Sequence, residues 1–141
     1  MNALVPVSVS RCEGRLSSLC YSDARSCVLL GVFAGLKEVL KAVEKLSMCL
    51  ESNRELDSDK CFYVASESLS ALHSIMHDLR PLVSHLGYRR VLEEINHCIS
   101  VVKEVSRHSP AEIEEVKQNH LLGLRECAYR IKNTLSSLCG Y

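Results

Sequence analysis

The sequence predicts an all-α protein: an antiparallel four-helix bundle with up-down-up-down topology, an extended N-terminal arm and a short additional N-terminal helix. Three observations predict this fold class. Six glycines and three prolines in 141 residues indicate a few long elements rather than many short strands. Apolar residues recur at the spacing of amphipathic helices in four long segments. The segments between them are short and polar, so neighbouring helices are expected to run antiparallel within a single domain.

Residues 1–21 are predicted to contain the arm and the short helix. Apolar and small side chains alternate within residues 1–10, which favours an extended chain. Within residues 11–21, Cys12 and Leu16 share one helical face, whereas Gly14 lowers the helix propensity of the segment.

Helix A, predicted over residues 22–52, is the helix that the others are expected to cover. Ser22 or Asp23 can cap its first turn. Residues 27–36 carry no charge, but this run is far shorter than the roughly 20 apolar residues that span a bilayer. It therefore predicts a buried helix start without a membrane span. Apolar residues then repeat every seven positions, in the a/d pattern of packed helices.

Helices B, C and D are predicted over residues 58–79, 84–107 and 110–138. Pro81 disfavours a helical conformation at the residue before it, and Gly87 follows soon after, so a turn is predicted between helices B and C. The start of helix D is marked by a complete set of signals. Ser109 can cap the helix, Pro110 suits its first position, and Glu112 completes a capping box.

The eight cysteines contain no CxxC pair, which is unlike a zinc ribbon or a thioredoxin-like motif. Cys49 and Cys61 flank the predicted A–B loop and would face each other, either as a disulfide or as two buried thiols. Cys20, Cys27 and Cys139 are expected to gather at the opposite end of the bundle. The N-terminus lacks the features of a signal peptide, so the predicted location is cytoplasmic or within a macromolecular assembly.

Self-association is predicted from the start of helix A. Gly31 and Gly35 lie one helical turn apart and let another helix approach closely, either within the bundle or from a second subunit. Because three amphipathic helices each supply only one apolar stripe, they are not expected to cover the whole of this segment. The self-association surface is therefore assigned to Gly31, Phe33 and Gly35, and a homo-oligomer is predicted.

Nucleic acid is predicted as a non-specific partner from the distribution of charge. Acidic and basic residues number 17 each, so the overall charge favours no partner class. The predicted bundle nevertheless separates an acidic end, at the A–B and C–D turns, from a basic end suited to sequence-independent phosphate contacts. The residues assigned to these contacts are Arg80, Arg89, Arg90, Arg125, Arg130 and Lys132.

Two Arg/His pairs indicate an alternative, enzymatic function. Arg80 and His85 have the spacing Arg-x4-His, and Arg90 and His97 have the spacing Arg-x6-His. Both resemble the Arg-x(4–6)-His signature of the HEPN family, small helical bundles that include dimeric ribonucleases. The resemblance implies that Arg and His from two subunits act on an RNA phosphodiester without a metal. Pro81, inside the first pair, departs from the family pattern.

No cofactor, small-molecule substrate or metal site is predicted. His73 and His77 have the spacing of a two-histidine metal site, and Asp78 and His85 could be further ligands. His73 and His77 lie beside the apolar stripe of helix B, however, where solvated histidines are common.

The function predicted first is a non-enzymatic structural protein that self-associates into an oligomer, filament or coat-like assembly. A HEPN-like ribonuclease and a partner-binding helical adaptor are the alternatives.

Overall fold

The computed structural model of the chain describes residues 7–52, 58–86 and 88–139. These ranges contain five α-helices and no β-strand, which confirms the predicted fold class. The helices are α1 Val7–Leu19, α2 Ala24–Glu51, α3 Ser58–Leu86, α4 Arg89–Ser106 and α5 Ile113–Leu138. Helices α2 to α5 correspond to the predicted helices A to D and form the bundle, in which α2 and α4 each pack against α3 and α5. None of the described helices is long and apolar enough to cross a membrane.

The central helix α2 begins at a side-chain cap, as predicted. The Asp23 carboxylate accepts hydrogen bonds from the Arg25 backbone N–H at 3.1 Å and from the Ser26 hydroxyl at 2.9 Å. The a/d positions that follow are fully buried: Val32, Leu36, Val39, Val43, Leu46 and Leu50. Burial of each such side chain contributes about 1.5–3 kcal/mol, so this stripe supplies much of the core.

The two glycines of α2 lie against α3, inside the bundle. A methyl group at Gly35 would meet the Leu79 side chain at 2.6 Å, and one at Gly31 would meet Leu82 at 3.1 Å. Phe33, between the glycines, is fully buried. The close approach that the glycine spacing predicts is therefore made by a helix of the same chain, and these three residues are engaged in the core of the monomer.

Helix α3 continues through Pro81 to Leu86, so the break between helices B and C lies later than predicted. A proline inside a helix costs about 3 kcal/mol, because it removes a backbone hydrogen bond and crowds the preceding turn. Leu79 and Val83, on either side of the proline, are almost fully buried and contribute about 1.5–3 kcal/mol each. Their packing outweighs the local preference for a turn.

The N-terminal helix α1 is longer than expected. Residues 7–10, predicted as extended, form its first turn, whereas residues 1–6 of the predicted arm lie outside the described part of the chain. Cys12 and Leu16 are buried on one face, as the sequence pattern predicts. Because this face packs against α2 and also touches α5, α1 covers part of the apolar start of α2.

Three disulfide bonds join six of the eight cysteines: Cys12–Cys139, Cys20–Cys27 and Cys49–Cys61, with Cα–Cα distances between 4.5 and 6.0 Å. Of the two interpretations of Cys49 and Cys61, the disulfide is the one that the structure shows. The Cys12–Cys139 bond ties α1 to the end of α5 across 127 residues. Closing a loop of that length in the unfolded chain corresponds to about 5 kcal/mol of stabilisation from loop entropy.

Gly35→Ala is expected to destabilise the protein, because the added methyl group overlaps the buried Leu79 side chain. Overpacking of this kind costs about 1–3 kcal/mol, against about 1 kcal/mol gained in helix propensity. Gly14→Ala is the matched control: nothing lies within 4 Å of its added Cβ, so it should stabilise α1. Chemical unfolding measures both changes, and equal stabilisation by the two variants would contradict the packing of α3 against Gly35.

Alkylation followed by peptide mapping distinguishes the disulfides from the free thiols. In freshly isolated protein that is denatured without reductant, label should appear at Cys98 and Cys127 only, because these are the free cysteines. After reduction, all eight cysteines should react. Label at any of the other six positions in the unreduced sample would contradict the pairing.

Candidate interaction surfaces

A groove between α2 and α5 combines exposed apolar side chains with ion pairs. We call it the α2–α5 groove. It has a volume of about 420 Å³, and Met48, Ala128 and Tyr129 lie along it. Met48 is 50% exposed and Tyr129 is 57% exposed. Methionine and aromatic residues are enriched in protein interfaces, so this pair is a candidate contact.

Two ion pairs cross the α2–α5 groove, one on either side of the apolar pair. Arg125 donates to Glu51 from Nε at 2.8 Å and from Nη2 at 2.6 Å, and the Nζ atom of Lys132 lies 3.3 Å from Glu44. Both acids belong to α2 and both bases to α5. Within each helix the two charges are seven residues apart, which is close to two helical turns. One wall of the groove is therefore acidic and the other basic.

Three of the six residues predicted to contact nucleic acid lie 3.3 Å or less from an acid of the same chain. Arg125 and Lys132 form the two pairs of the α2–α5 groove, and Arg130 lies 2.7 Å from Glu94, measured between Nε and Oε2. The positive charges of these three residues are therefore compensated within the monomer. The predicted basic end is smaller than the sequence indicates.

The other three arginines are exposed, and two of them line a cleft. Arg89 and Arg90, with Tyr88, lie along a cavity of about 510 Å³ between the start of α4 and the end of α5, which we call the arginine cleft. Arg90 lies 3.8 Å from Glu94, whereas neither Arg80 nor Arg89 forms an ion pair with a described residue. The charges of these two arginines are thus available to an anionic partner.

A polar cluster is buried between α4 and α5. Glu94 is only 4% exposed, and Arg130 donates from Nη2 to its Oε1 atom at 3.1 Å. This hydrogen bond raises the pKa of Arg130 above its ordinary value. The free thiols of Cys98 and Cys127 lie beside the pair, and their hydrogen bond, together with burial, raises the pKa of Cys98 well above its ordinary value. Cys98 therefore stays a neutral thiol, unsuited to nucleophilic attack.

The HEPN-like pairs do not form a shared reaction site within the described part of the monomer. Arg90 and His97 lie on the same helix, about 10 Å apart along its axis at a rise of 1.5 Å per residue. The Nε2 atom of His97 is buried without a hydrogen-bond partner, so it does not face an exposed substrate. Arg80 lies on α3, and the side chain of His85 lies outside the described side chains.

The histidines that meet in the structure are not those that the sequence pattern singled out. His73 and His77 are both exposed on α3. His108 and His120 are close neighbours instead, with ring centroids 5.4 Å apart. Their contact follows from the turn between α4 and α5, and no helical periodicity relates two residues separated by such a turn. The sequence spacing of His108 and His120 therefore does not predict their contact.

Comparison with known protein families, with curated proteins and with solved structures finds no match to this chain. Its function is therefore inferred from the surfaces described above.

Proposed function

We propose that this chain is a non-enzymatic structural protein whose copies associate side by side through the α2–α5 groove. The observation that supports this function is the self-complementary layout of the groove, with an acidic wall on α2, a basic wall on α5 and an apolar pair between them. Contacts in which two copies use the same patch are the commonest in homo-oligomers. The groove has the features that such a contact requires.

The charge layout favours one orientation of the two copies. A two-fold axis parallel to the groove places Glu44 of one copy opposite Lys132 of the other, and Glu51 opposite Arg125. Each ion pair within one copy then lies against the same ion pair of the other copy, with every acid next to a base. An axis across the groove would instead set acid against acid. Repulsion between like charges at an interface costs several kcal/mol, so the parallel axis is the favoured arrangement.

The apolar pair supplies the contact energy. Met48 and Tyr129 lie between the two ion pairs, and Leu122, which is 73% exposed, extends the stripe one heptad earlier on α5. An aromatic side chain at the centre of an interface often contributes about 2 kcal/mol or more, provided that surrounding contacts exclude water. A closed two-fold contact gives a dimer, and a filament or coat requires a second surface in addition.

Tyr129→Ser should weaken self-association about 30-fold in Kd, which corresponds to about 2 kcal/mol. Sedimentation over a concentration series measures the effect. Tyr63→Ser is the matched control, because Tyr63 is 65% exposed but lies on α3. A wild-type protein that stays monomeric at every concentration, or an equal loss in both variants, would overturn the proposal.

Charge reversal tests whether the charged walls pair across the contact between two copies. A variant with Glu44→Lys and Glu51→Arg has two basic walls, and one with Arg125→Glu and Lys132→Glu has two acidic walls. Neither should self-associate, but an equimolar mixture should form a heterodimer that native mass spectrometry detects. Circular dichroism establishes that both variants are helical. Failure of the mixture to associate while the wild type dimerises would contradict charge pairing through the α2–α5 groove.

We also infer that the arginine cleft contacts nucleic-acid phosphates. Arg89 and Arg90 face Asn133 and Ser137 across the cleft, and none of the described residues that line it is acidic. Guanidinium groups bind phosphate oxygens, and hydroxyl and amide groups of this kind commonly add hydrogen bonds to the same oxygens. Such contacts are independent of base sequence, in agreement with the predicted non-specific partner.

Arg89→Ala with Arg90→Ala should weaken the binding of single-stranded RNA. The slope of log affinity against log salt concentration should become shallower by about 0.7 for each phosphate that the variant no longer neutralises. Fluorescence anisotropy at several salt concentrations measures both quantities. Arg107→Ala is the control, because Arg107 pairs with Glu104 at 2.8 Å and lies at the far end of α4. A double variant that binds as the wild type does would contradict the phosphate-binding role of the cleft.

A further inference from the structure

Histidine and glutamate side chains cluster at the turn between α4 and α5. His108 follows α4, Glu112 ends a 3-10 turn that spans Pro110–Glu112, and Glu115 lies in the first turn of α5. One ring nitrogen of His108 and one carboxylate oxygen of each glutamate all lie within 4.8 Å of one another. Imidazole nitrogen and carboxylate oxygen are donors that zinc and other divalent transition metals bind in proteins.

The two oxygens of Glu112 have different partners. Its Oε1 atom accepts hydrogen bonds from the backbone N–H of Ser109 at 2.8 Å and from the Ser109 hydroxyl at 3.2 Å. Its Oε2 atom lies 3.6 Å from Nδ1 of His108. Helix capping therefore holds this carboxylate in place through one oxygen and presents the other to the imidazole. The donor atoms are brought together by the start of the helix itself.

A second imidazole lies beside His108, outside the set of three converging donors. The ring of His120 is centred 5.4 Å from that of His108, and both side chains are half-buried. Glu114, in the same turn as Glu115, lies instead 3.7 Å from Lys117 and is not part of the cluster. Zinc bound by three protein side chains keeps a water molecule at its fourth position, so the three converging donors make a sufficient set.

We propose that His108, Glu112 and Glu115 bind a divalent metal ion of the zinc type. The ion would clamp the end of α4 to the start of α5. The site shares no residue with the α2–α5 groove or the arginine cleft, so it is independent of the proposed function.

Titration of the purified full-length protein with zinc tests the site. Calorimetry should show one zinc ion per chain, and cobalt in its place should give the visible absorption of a tetrahedral complex. His108→Ala and Glu115→Gln should each weaken zinc binding at least tenfold, a loss that removal of an outer-shell partner can already cause. Glu112→Gln should do the same while leaving the helix start intact, because glutamine also completes a capping box.

Two controls separate this site from general metal binding. Glu114→Gln removes one negative charge from the first turn of α5, as Glu115→Gln does. His73→Ala removes an exposed histidine on α3. Both should bind zinc as the wild type does, and all variants keep Cys98 and Cys127, so thiol binding cancels in the comparison. A wild type that takes up no stoichiometric zinc, or equal weakening by Glu114→Gln, would overturn the proposal.

Discussion

The close packing of α3 against the glycine-bearing start of α2 governs how the other helices are arranged. Leu79 and Leu82 occupy the space that side chains at Gly35 and Gly31 would fill. Because this contact buries the uncharged segment of α2, α3 continues through Pro81 instead of ending at it. Helix α4 then starts at Arg89, and the arginine cleft lies where that start meets the end of α5. The packing of α3 against α2 therefore sets the position of the arginine cleft, which α4 and α5 form.

The disulfides reinforce the ends of this arrangement. Cys49–Cys61 joins α2 to α3 near the loop between them, and Cys12–Cys139 fastens α1 and the end of α5 together. Cys98 and Cys127 stay free in the middle of the α4–α5 contact, where burial disfavours the thiolate of Cys98. The two disulfides thus lie near the ends of the bundle, and hydrophobic packing stabilises its centre.

The surfaces depend on how α2 and α5 are aligned. Glu44 pairs with Lys132, and Glu51 pairs with Arg125. Each acid on α2 lies at the same height along the bundle as its basic partner on α5. The sequence shows that the two charges on each helix are seven residues apart, but it does not show which acid of α2 faces which base of α5. Glu94 is a similar case. It directly follows Glu93 in the sequence, and only its packing against α5 brings Arg130 to it.

Features that depend on neighbours within a few residues could be predicted from the sequence alone. The Asp23 cap, the capping contact of Glu112 and the buried heptad of α2 all follow from helical periodicity and local hydrogen bonds. Tertiary packing sets what depends on residues far apart in the chain: the passage of α3 through Pro81, the partners of Arg125, Arg130 and Lys132, and the meeting of His108 with His120. These features could not be predicted from the sequence because burial and charge pairing between helices depend on contacts. Such contacts form only when the helices pack against one another.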